Sequence, residues 1–343
     1  MSINLRWDIT TNCRMNCIHC YNSRFRKSRN DVLSQQDINI IIDKFPAYKI
    51  NVVKLMGGEP FDSKNIVYIC AGLSRRGISF GVTTNGDFDW EFANEVAFSK
   101  SGFLYITFSM DGYEDEAKLF RKKLDVDNVI SNIKKVKKYY PKVIICLNLI
   151  LNTSNYDKIR KILNFYVDLG VEKINISQLS GREEVIRQYQ CDNLQLIAAI
   201  EDISRFVDEH EEIVIECGFA CNKIREQIKT NINNKISFDY RCLAGREIGY
   251  IDYMGNLLPC EAILKQEQLY NFYISSGEYS LLINDFDTIW MQKAFNDVYK
   301  HDVLFRYKNR ANNPNCKQCL SKNVCGDCFY EPRTNEEISY AEI

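Results

Sequence analysis

The sequence predicts an α/β protein whose larger part is a partial (β/α)6 barrel, followed by a cysteine-rich C-terminal part. Six short apolar segments alternate with amphipathic segments up to about residue 180, and eight of the fourteen cysteines lie beyond residue 210. Six β/α repeats in a row require a parallel sheet with helices outside it, and six units rather than eight predict a barrel open at one side. Because 343 residues exceed what one core usually serves, we expect two domains, residues 1–210 and 211–343.

The six predicted strands are short, rich in β-branched and aromatic residues, and bounded by Gly, Asn or Ser. They are Ile3–Thr10, Ile50–Met56, Ile78–Thr84, Phe103–Ser109, Val143–Leu151 and Lys173–Gln178. The helices between them are predicted at Asp31–Lys44, Ser63–Arg75, Asp89–Lys100, Asp127–Tyr140 and Asn155–Leu169. The expected N-caps are Ser34 and Ser63, and the expected helix stops are Gly77, Gly102 and Gly170. Later elements are a helix at Asn193–His210 and a β-hairpin that begins at Ile248–Tyr253 and turns at Gly255.

Composition and charge exclude several classes of function. A formal net charge of −1 argues against general binding of nucleic acid or of membrane surfaces. The N-terminus lacks the basic and apolar regions of a signal peptide, and no apolar run reaches the roughly 18 residues of a membrane span. We therefore expect a cytoplasmic protein. In that reducing compartment clustered cysteines indicate metal or iron–sulfur ligation rather than disulfides.

A loop with three cysteines directly follows the first predicted strand. Cys13, Cys17 and Cys20 stand in a C-x3-C-x2-C spacing, which crowds three thiolates into one short loop. Structural zinc sites take four ligands, and cubane iron–sulfur clusters are usually held by four cysteine thiolates. Three local cysteines therefore indicate either a distant fourth ligand or an iron with an open position. The alternatives are a zinc loop and a redox-inert cysteine cluster.

The next three predicted strands also end in segments that suit a ligand. These segments are Gly57-Gly58-Glu59-Pro60, Thr84-Asn85-Gly86 and Ser109-Met110-Asp111-Gly112. Active sites of parallel α/β folds lie at the carboxyl ends of the strands. Two glycines let the backbone approach a ligand closely, and a buried carboxylate suits an ammonium group. Each segment alone could be a plain turn, but four of them on consecutive strands predict a binding site.

In this order and spacing, the four segments resemble those of the radical S-adenosylmethionine (SAM) enzymes. The resemblance implies that Cys13, Cys17 and Cys20 bind three irons of a [4Fe–4S] cluster and that SAM chelates the fourth. An electron from the cluster then cleaves SAM to a 5′-deoxyadenosyl radical. His19 takes the position of an aromatic residue that packs beside the adenine, although an exposed imidazole on a loop is the alternative.

The same resemblance assigns roles to the other strand ends. The segment 57–60 matches the GGEP motif of the family, whose backbone and Glu59 carboxylate would engage the amino group of SAM. Ser109 and Asp111 lie in a segment that resembles the ribose- and carboxylate-contacting segment of the family, and Asn85 ends the strand beside it. The partial barrel is also the architecture that the resemblance implies.

The C-terminal cysteines resemble the SPASM extension of this family, which binds two auxiliary [4Fe–4S] clusters. A C-x12-G-x4-C spacing runs from Cys242 to Cys260, and a C-x2-C-x5-C-x2-C spacing covers Cys316, Cys319, Cys325 and Cys328. A zinc ribbon, the alternative, needs a loop of roughly 15–20 residues between its knuckles. The family pattern differs in having x3 before the last cysteine of this run and one more cysteine after it.

Two ligand sets follow by analogy with the family. The nearer auxiliary cluster would take Cys242, Cys260, Cys328 and either Cys221 or Cys217. The outer cluster would take Cys316, Cys319 and Cys325, which leaves it one thiolate short. An upstream cysteine or a side chain such as Asp327 or Glu331 would complete it, unless one iron stays open. The cysteines predicted to be small core residues are Cys70, Cys146 and Cys191.

The resemblance implies an oxidoreductase that abstracts hydrogen from a substrate C–H bond and passes the remaining electron to an auxiliary cluster. SPASM-type enzymes mostly modify peptides by cross-linking, thioether formation, oxidation or epimerisation, so a peptide is the expected substrate. A small-molecule dehydrogenase or epimerase acting on a sugar or antibiotic intermediate is the first alternative. A non-catalytic iron–sulfur or zinc scaffold is the second. The expected electron donor is a flavodoxin- or ferredoxin-type reductant.

Four further features bear on the substrate. Glu261 follows Cys260, where sulfatase-maturing members place an acidic base, and would take a substrate proton, although a solvent-facing Glu is the alternative. In an epimerase, Cys217 or Cys221 would return the hydrogen. The basic segment 24–29 is expected to be a solvated loop, and contact with an acidic substrate is the alternative. Because the sequence begins at its first predicted strand, we expect leader recognition by a separate protein or by the barrel mouth.

Overall fold

The computed structural model describes residues 3–20, 22–23, 25, 31–179, 183–218, 236–238, 244–245, 247–265 and 267–292. Several predicted ligands lie outside these residues, namely Cys221, Cys242, Cys316, Cys319, Cys325 and Cys328, together with Asp327 and Glu331. The basic segment 24–29 also lies outside them, apart from Phe25.

One sheet organises the part of the chain that the structure describes. Its strands are β1 Asn4–Asp8, β2 Val52–Met56, β3 Ser79–Thr84, β4 Phe103–Ser109, β5 Ile144–Leu151, β6 Lys173–Gln178, β7 Val214–Gly218, β8 Ile236–Phe238, β9 Ile248–Ile251 and β10 Leu257–Leu258. Their spatial order is β10-β9-β1-β2-β3-β4-β5-β6-β7-β8. All neighbours are parallel except the β9–β10 hairpin. The six predicted strands and the parallel sheet are confirmed.

The strands beyond β6 were only partly predicted. β7 and β8 continue the parallel sheet past the sixth strand, and β9 pairs with the other side of β1. The predicted hairpin is present, and Gly255 at its turn has a φ of +87°. The division at residue 210 stays a prediction, since the later strands join the same sheet.

Helices connect most of the strands. They are α1 Gln35–Asp43, α2 Ile66–Arg75, α3 Trp90–Ala93, α4 Asp115–Phe120, α5 Val126–Tyr139, α6 Ile159–Asp168, α7 Glu183–Tyr189, α8 Asn193–Glu209, α9 Glu267–Ser275 and α10 Phe286–Trp290. A π-helical turn, Asn94–Phe98, continues α3, and a 3-10 turn, Tyr156–Lys158, precedes α6. Ser34 caps α1 as predicted, and the three predicted stop glycines have positive φ angles of 66°, 91° and 97°. No helix in the described residues is long and apolar enough to cross a membrane.

The predicted cap at Ser63 is wrong. Pro60–Asp62 forms a 3-10 turn, and the backbone N–H of Ser63 closes it onto the Pro60 carbonyl at 3.1 Å. Helix α2 therefore begins only after Asn65, whose side chain makes no capping bond. Proline fixes the φ angle at the start of a helical turn, which explains why the chain turns here before the helix begins.

Side chains along the strands alternate between an apolar core on one face of the sheet and a polar cavity on the other. Leu5, Trp7 and Val53 are fully buried in the core, whereas Arg6 and Lys54 between them line a cavity enclosed by the sheet. Successive side chains of a strand point to opposite faces of the sheet. The barrel interior is therefore a polar cavity that the carboxyl-end loops and the inner strand faces line together.

Candidate active site

A cavity of about 1470 Å³ occupies the inside of the sheet. The predicted site residues that line it are Cys13, Cys17, His19, Cys20, Gly57, Gly58, Asn85, Ser109 and Glu261. Glu59, Pro60 and Asp111 are buried behind this lining. The structure thus brings the four strand-end segments to one edge of the sheet.

The cysteine loop presents three thiols to the cavity, none of them in a disulfide. Cys17 is buried, and Cys13 and Cys20 are half-buried. Among the residues that the structure describes, no three His, Cys, Asp or Glu side chains are grouped so as to hold a single metal ion. In a cubane the thiolates bind different irons, so the donors need not meet at one point. The donor set therefore fits a cluster with an open iron.

Neighbouring loops hold the cysteine loop in place. The backbone N–H of Arg14 donates to the Asp62 carboxylate at 3.0 Å, and the Arg14 guanidinium also pairs with that carboxylate at 3.0 Å. The same guanidinium donates to the Asp87 carbonyl at 2.6 Å. On the other side, the N–H of Ile18 donates to the Phe120 carbonyl at 3.1 Å. The loop is thus tied to the segments after β2, β3 and β4.

Gly57 and Gly58 lie directly against the backbone of the cysteine loop. The N–H of Gly58 donates to the Thr10 carbonyl at 2.8 Å, and the N–H of Glu59 donates to the Asn12 carbonyl at 2.6 Å. A Cβ on Gly57 would lie 2.5 Å from the Thr10 oxygen, and one on Gly58 would lie 2.0 Å from the Asn12 oxygen. Gly57 also has a φ of +132°. Only glycine permits this contact at both positions.

Glu59 is fully buried and holds the end of β3. One carboxylate oxygen accepts from the Thr84 hydroxyl at 2.8 Å and from the Phe61 N–H at 3.2 Å, and the other accepts from the Asn85 N–H at 2.8 Å. Burial raises the pKa of Glu59 to about 7, although these hydrogen bonds oppose the shift. The contact of Glu59 with the SAM amino group stays a prediction.

The side-chain amide nitrogen of Asn85 lies at the cavity wall. It is buried and makes no hydrogen bond to a described residue. A buried donor without a partner is costly and usually marks a place where a ligand or a water binds. The orphaned amide and the glycine cradle together fit SAM.

Arg121 is a site residue that the sequence patterns did not reveal. Its guanidinium is buried, pairs with Asp111 at 3.1 Å and lies 3.8 Å from the Cys17 sulfur. Burial acts to lower the pKa of Arg121, but the Asp111 carboxylate and the nearby thiols raise it overall. Asp111 also accepts from the Ile150 N–H at 3.0 Å. The Asp111 carboxylate thus positions the positively charged Arg121 guanidinium beside the cysteine loop.

His19 and Asn22 complete the cysteine side of the cavity. The alternative of an exposed His19 imidazole is wrong, because the ring is 9% exposed and packs edge-on against Phe120 at 5.3 Å. The Asn22 amide donates to Asp8 at 2.8 Å and to the Gly57 carbonyl at 3.3 Å. Burial raises the pKa of Asp8 to about 7. The adenine-packing role of His19 stays a prediction.

Glu261 lies across the cavity on a 3-10 turn, Glu261–Lys265. Its carboxylate forms an ion pair with Arg6 on β1, and both side chains are 25% exposed. The structure therefore does not support the alternative of a solvent-facing Glu. The preceding Cys260 is half-buried and is not in a disulfide.

The remaining described cysteines divide between core and cavity. Cys70 and Cys191 are buried in the core, as predicted. Cys146 is also buried but lines the cavity from β5. Cys217 is 1% exposed and packs in the apolar core, and it also borders the cavity near the end of β7.

Comparison with known proteins agrees with this geometry. Residues 7–166 match the model of the radical SAM superfamily. The molybdenum cofactor biosynthesis protein moc-5 of Caenorhabditis elegans is 28% identical over 233 residues, 66% of this chain and 37% of that protein. A probable GTP 3′,8-cyclase of Saccharolobus islandicus is 29% identical over 178 residues, 51% of this chain and 56% of that protein. The chain thus spans about half or less of the length of these relatives.

Solved structures share the fold at low sequence identity. Streptococcus suis SuiB bound to SAM has a TM-score of 0.70 at 16% identity, covering 96% of this chain and 71% of SuiB. Native anSMEcpe with bound SAM has a TM-score of 0.66 at 14% identity, covering 94% of this chain and 88% of that one. These solved structures show that the chain shares their fold, and its residues 7–166 are similar to the radical SAM superfamily, whose cofactors are a [4Fe–4S] cluster and SAM.

Proposed function

We propose that the chain is a radical SAM oxidoreductase that modifies a peptide. The observation that carries this proposal is the cavity, which has three thiols and a glycine cradle at one end and continues down the inner strand faces. Its volume of about 1470 Å³ exceeds the roughly 300–1,000 Å³ of ordinary ligand pockets. A cofactor and part of a substrate therefore fit in it together.

Two related folds support a peptide as the substrate. SuiB has been solved with its precursor peptide SuiA, and this chain superimposes on that structure with a TM-score of 0.71. The structure of anSMEcpe with SAM and the Cp18Cys peptide gives a TM-score of 0.64. Both are peptide complexes on the same fold, at 16% and 13% identity.

Each group at the upper end of the cavity has a proposed role. Cys13, Cys17 and Cys20 would hold the cluster, which when bound with SAM supplies a radical that abstracts hydrogen from the substrate. The backbone at 57–58 and the Asn85 amide would orient SAM, and Ser109 would add a hydroxyl contact. Arg121 places positive charge near the cluster, where it favours bound carboxylate and thiolate groups.

We propose that Cys260, together with Cys242, Cys328 and either Cys221 or Cys217, would hold the nearer auxiliary cluster. When bound, such a cluster would supply an acceptor for the electron left on the substrate. Iron and sulfide counts of the wild type, compared with a variant that replaces Cys13, Cys17 and Cys20 by alanine, test this. Iron retained by that variant belongs to auxiliary clusters, and its complete loss would contradict them.

Glu261 is proposed to take a substrate proton during oxidation. Its pairing with Arg6 holds the carboxylate inside the cavity, which keeps it within reach of a bound substrate. Glu261→Gln should reduce product more than tenfold while SAM is still cleaved, because a positioned base contributes about 10²–10⁴-fold. Undiminished product from that variant would remove Glu261 from the mechanism.

The experiment that tests the central proposal is anaerobic reconstitution followed by reduction in the presence of SAM. We expect 5′-deoxyadenosine, and a fully loaded protein that makes none would refute the proposal. Mass spectrometry of candidate peptides then identifies the reaction: loss of two mass units indicates oxidation or cross-linking, and a gain of one in D2O indicates epimerisation. Because relatives over half of the chain are probable GTP 3′,8-cyclases, GTP and sugar substrates in the same assay test the small-molecule alternative.

A further inference from the structure

A layer of polar side chains crosses the cavity well below the cysteine loop. Arg6 on β1 is in register with Lys54 on β2, Lys54 with Gly81 on β3, and Gly81 with Tyr105 on β4. The side chains of Arg6, Lys54 and Tyr105 all line the cavity. Because a Cβ on Gly81 would lie 2.3 Å from the Tyr105 ring, that ring lies over Gly81 and leans toward Lys54.

Among the described residues of this layer, Arg6 and Lys54 are cationic, and the Glu261 carboxylate pairs with Arg6. Lys173 also lines the cavity but is in register with Cys146 rather than with Tyr105, and it pairs with Glu216 at 2.6 Å. Lys54 makes no hydrogen bond or salt bridge to any residue that the structure describes.

The Tyr105 hydroxyl likewise has no hydrogen-bond partner in the described part of the chain. Burial raises the pKa of Tyr105, so the phenol keeps its proton and remains a donor. Burial, assisted by the charge of Arg6, lowers the pKa of Lys54 to about 8, so its ammonium is still charged at neutral pH. Two adjacent donors, one of them cationic, therefore face the cavity.

We propose that Lys54 and Tyr105 bind an anionic oxygen group of the substrate, a carboxylate or a phosphate. An uncompensated charge inside a protein is costly, and an anion placed here would offset that cost through a charge-assisted hydrogen bond. The charge of Glu261 is near enough to oppose the lowering of the Lys54 pKa, but its carboxylate pairs with Arg6 and makes no salt bridge with Lys54. The inference rests on the proposed function only in taking the cavity as the substrate site.

The position of Lys54 limits where the anion lies on the substrate. Lys54 precedes Gly57 by three residues, so the two are roughly 10 Å apart along the strand. Two residues of an extended peptide span roughly 7 Å, so a separation of this size is bridged by a residue close to the modified one in the peptide. In a peptide substrate, the acidic side chain therefore belongs to a near neighbour of the modified residue rather than to that residue itself.

Acetylation footprinting of the reconstituted wild-type protein tests the proposal. Acetic anhydride is applied with SAM present, and mass spectrometry measures the acetylation rate of Lys54 against that of the exposed Lys142. The probes are the peptide Ac-Ala-Glu-Ala-amide, its Gln counterpart and inorganic phosphate. Protection of Lys54 by the Glu peptide supports a carboxylate, and protection by phosphate alone supports a phosphate. Equal acetylation with every probe overturns the proposal.

A pair of variants gives an independent measurement. Lys54→Met keeps the apolar stem and removes the charge, so binding of the protecting probe should weaken about tenfold or more. Lys142→Met is the matched control and should bind the probe as the wild type does. Formation of 5′-deoxyadenosine by the same wild-type preparation reports separately on the proposed function. If the wild-type preparation cleaves SAM and Lys54→Met binds the probe as tightly as the wild type does, only the proposed anion site is refuted.

Discussion

Replacing Gly58 by alanine tests the contact between the glycine segment and the cysteine loop. The added Cβ would lie 2.0 Å from the Asn12 oxygen and 2.7 Å from the Asn12 carbonyl carbon, whereas ordinary contact begins at 3.4 Å. Both are backbone atoms, so no side-chain rotation relieves the clash. The cysteine loop must instead move away from the loop after β2.

The expected magnitude follows from what that movement disrupts. Overpacking costs about 1–3 kcal/mol, and each of the two backbone hydrogen bonds between these loops contributes about 1 kcal/mol. We expect Gly58→Ala to lower stability by about 2–5 kcal/mol. Because a misplacement of about 1 Å can cost roughly 10²-fold in turnover, formation of 5′-deoxyadenosine should fall by about that factor.

Gly77→Ala is the matched control. Gly77 has a φ of +66°, and no heavy atom lies within 4 Å of the position that a Cβ would take. Its substitution therefore costs only about 1–2 kcal/mol of backbone strain. The assays are iron and sulfide content, SAM binding by equilibrium dialysis, and thermal unfolding. We expect Gly77→Ala to keep cluster and SAM binding. Wild-type iron content, SAM cleavage and unfolding temperature in Gly58→Ala would refute the reasoning.

Three further predictions concern buried charged groups. Glu59→Gln sets a side-chain amide N–H against a group that donates a hydrogen bond to the wild-type carboxylate. We therefore expect the free energy of unfolding to fall by about 1–3 kcal/mol and SAM binding to weaken. The exposed control Glu91→Gln should leave both the free energy of unfolding and SAM binding unchanged. Burial raises the pKa of Asp8 from 3.8 to about 7, so its contribution to stability is present below about pH 4 and is lost as the pH rises through 7. Asp8→Asn should therefore gain stability relative to wild type between about pH 5 and about pH 8, and a pH-independent difference in unfolding free energy would contradict this. Arg121→Gln leaves the Asp111 carboxylate buried without its cation, at a cost of about 3–5 kcal/mol in chemical unfolding, and adding Asp111→Asn should recover most of it.

Local sequence patterns were sufficient for the first six strands of the sheet but did not reveal β7 and β8. The six predicted strands have β-branched alternation and glycine or asparagine boundaries, and each is present within a few residues of its predicted ends. The stop glycines were predictable because their positive φ angles are a local requirement. Ser63 failed as a cap because Pro60 starts a separate 3-10 turn, which competes with the helix for the same residues.

Side-chain partners from distant segments were not predictable in the same way. Glu59 is engaged by Thr84 and Asn85, about one β/α unit away, and nothing in its own segment specifies that contact. Arg121 was missed because it follows α4, a six-residue helix too short to show a periodic pattern. Lys54 looked like an ordinary polar residue of a strand, since its significance depends on the inner face of the sheet lining a cavity.

The two ends of the cavity are expected to act independently, because they rest on different parts of the fold. Proposed SAM contacts such as Asn85 lie on strand-end loops that are hydrogen-bonded to one another, whereas Lys54 lies within a strand. Asn85 follows Gly81, the register partner of Lys54, by four residues, which is roughly 13 Å along β3. Effects of sites more than about 7–10 Å apart usually add within about 0.5 kcal/mol. In the double variant Asn85→Ala/Lys54→Met, weaker SAM binding should therefore follow Asn85 and weaker anion binding should follow Lys54. A larger coupling in calorimetry would mean that one bound molecule contacts both residues, which would place the anion on SAM rather than on the substrate.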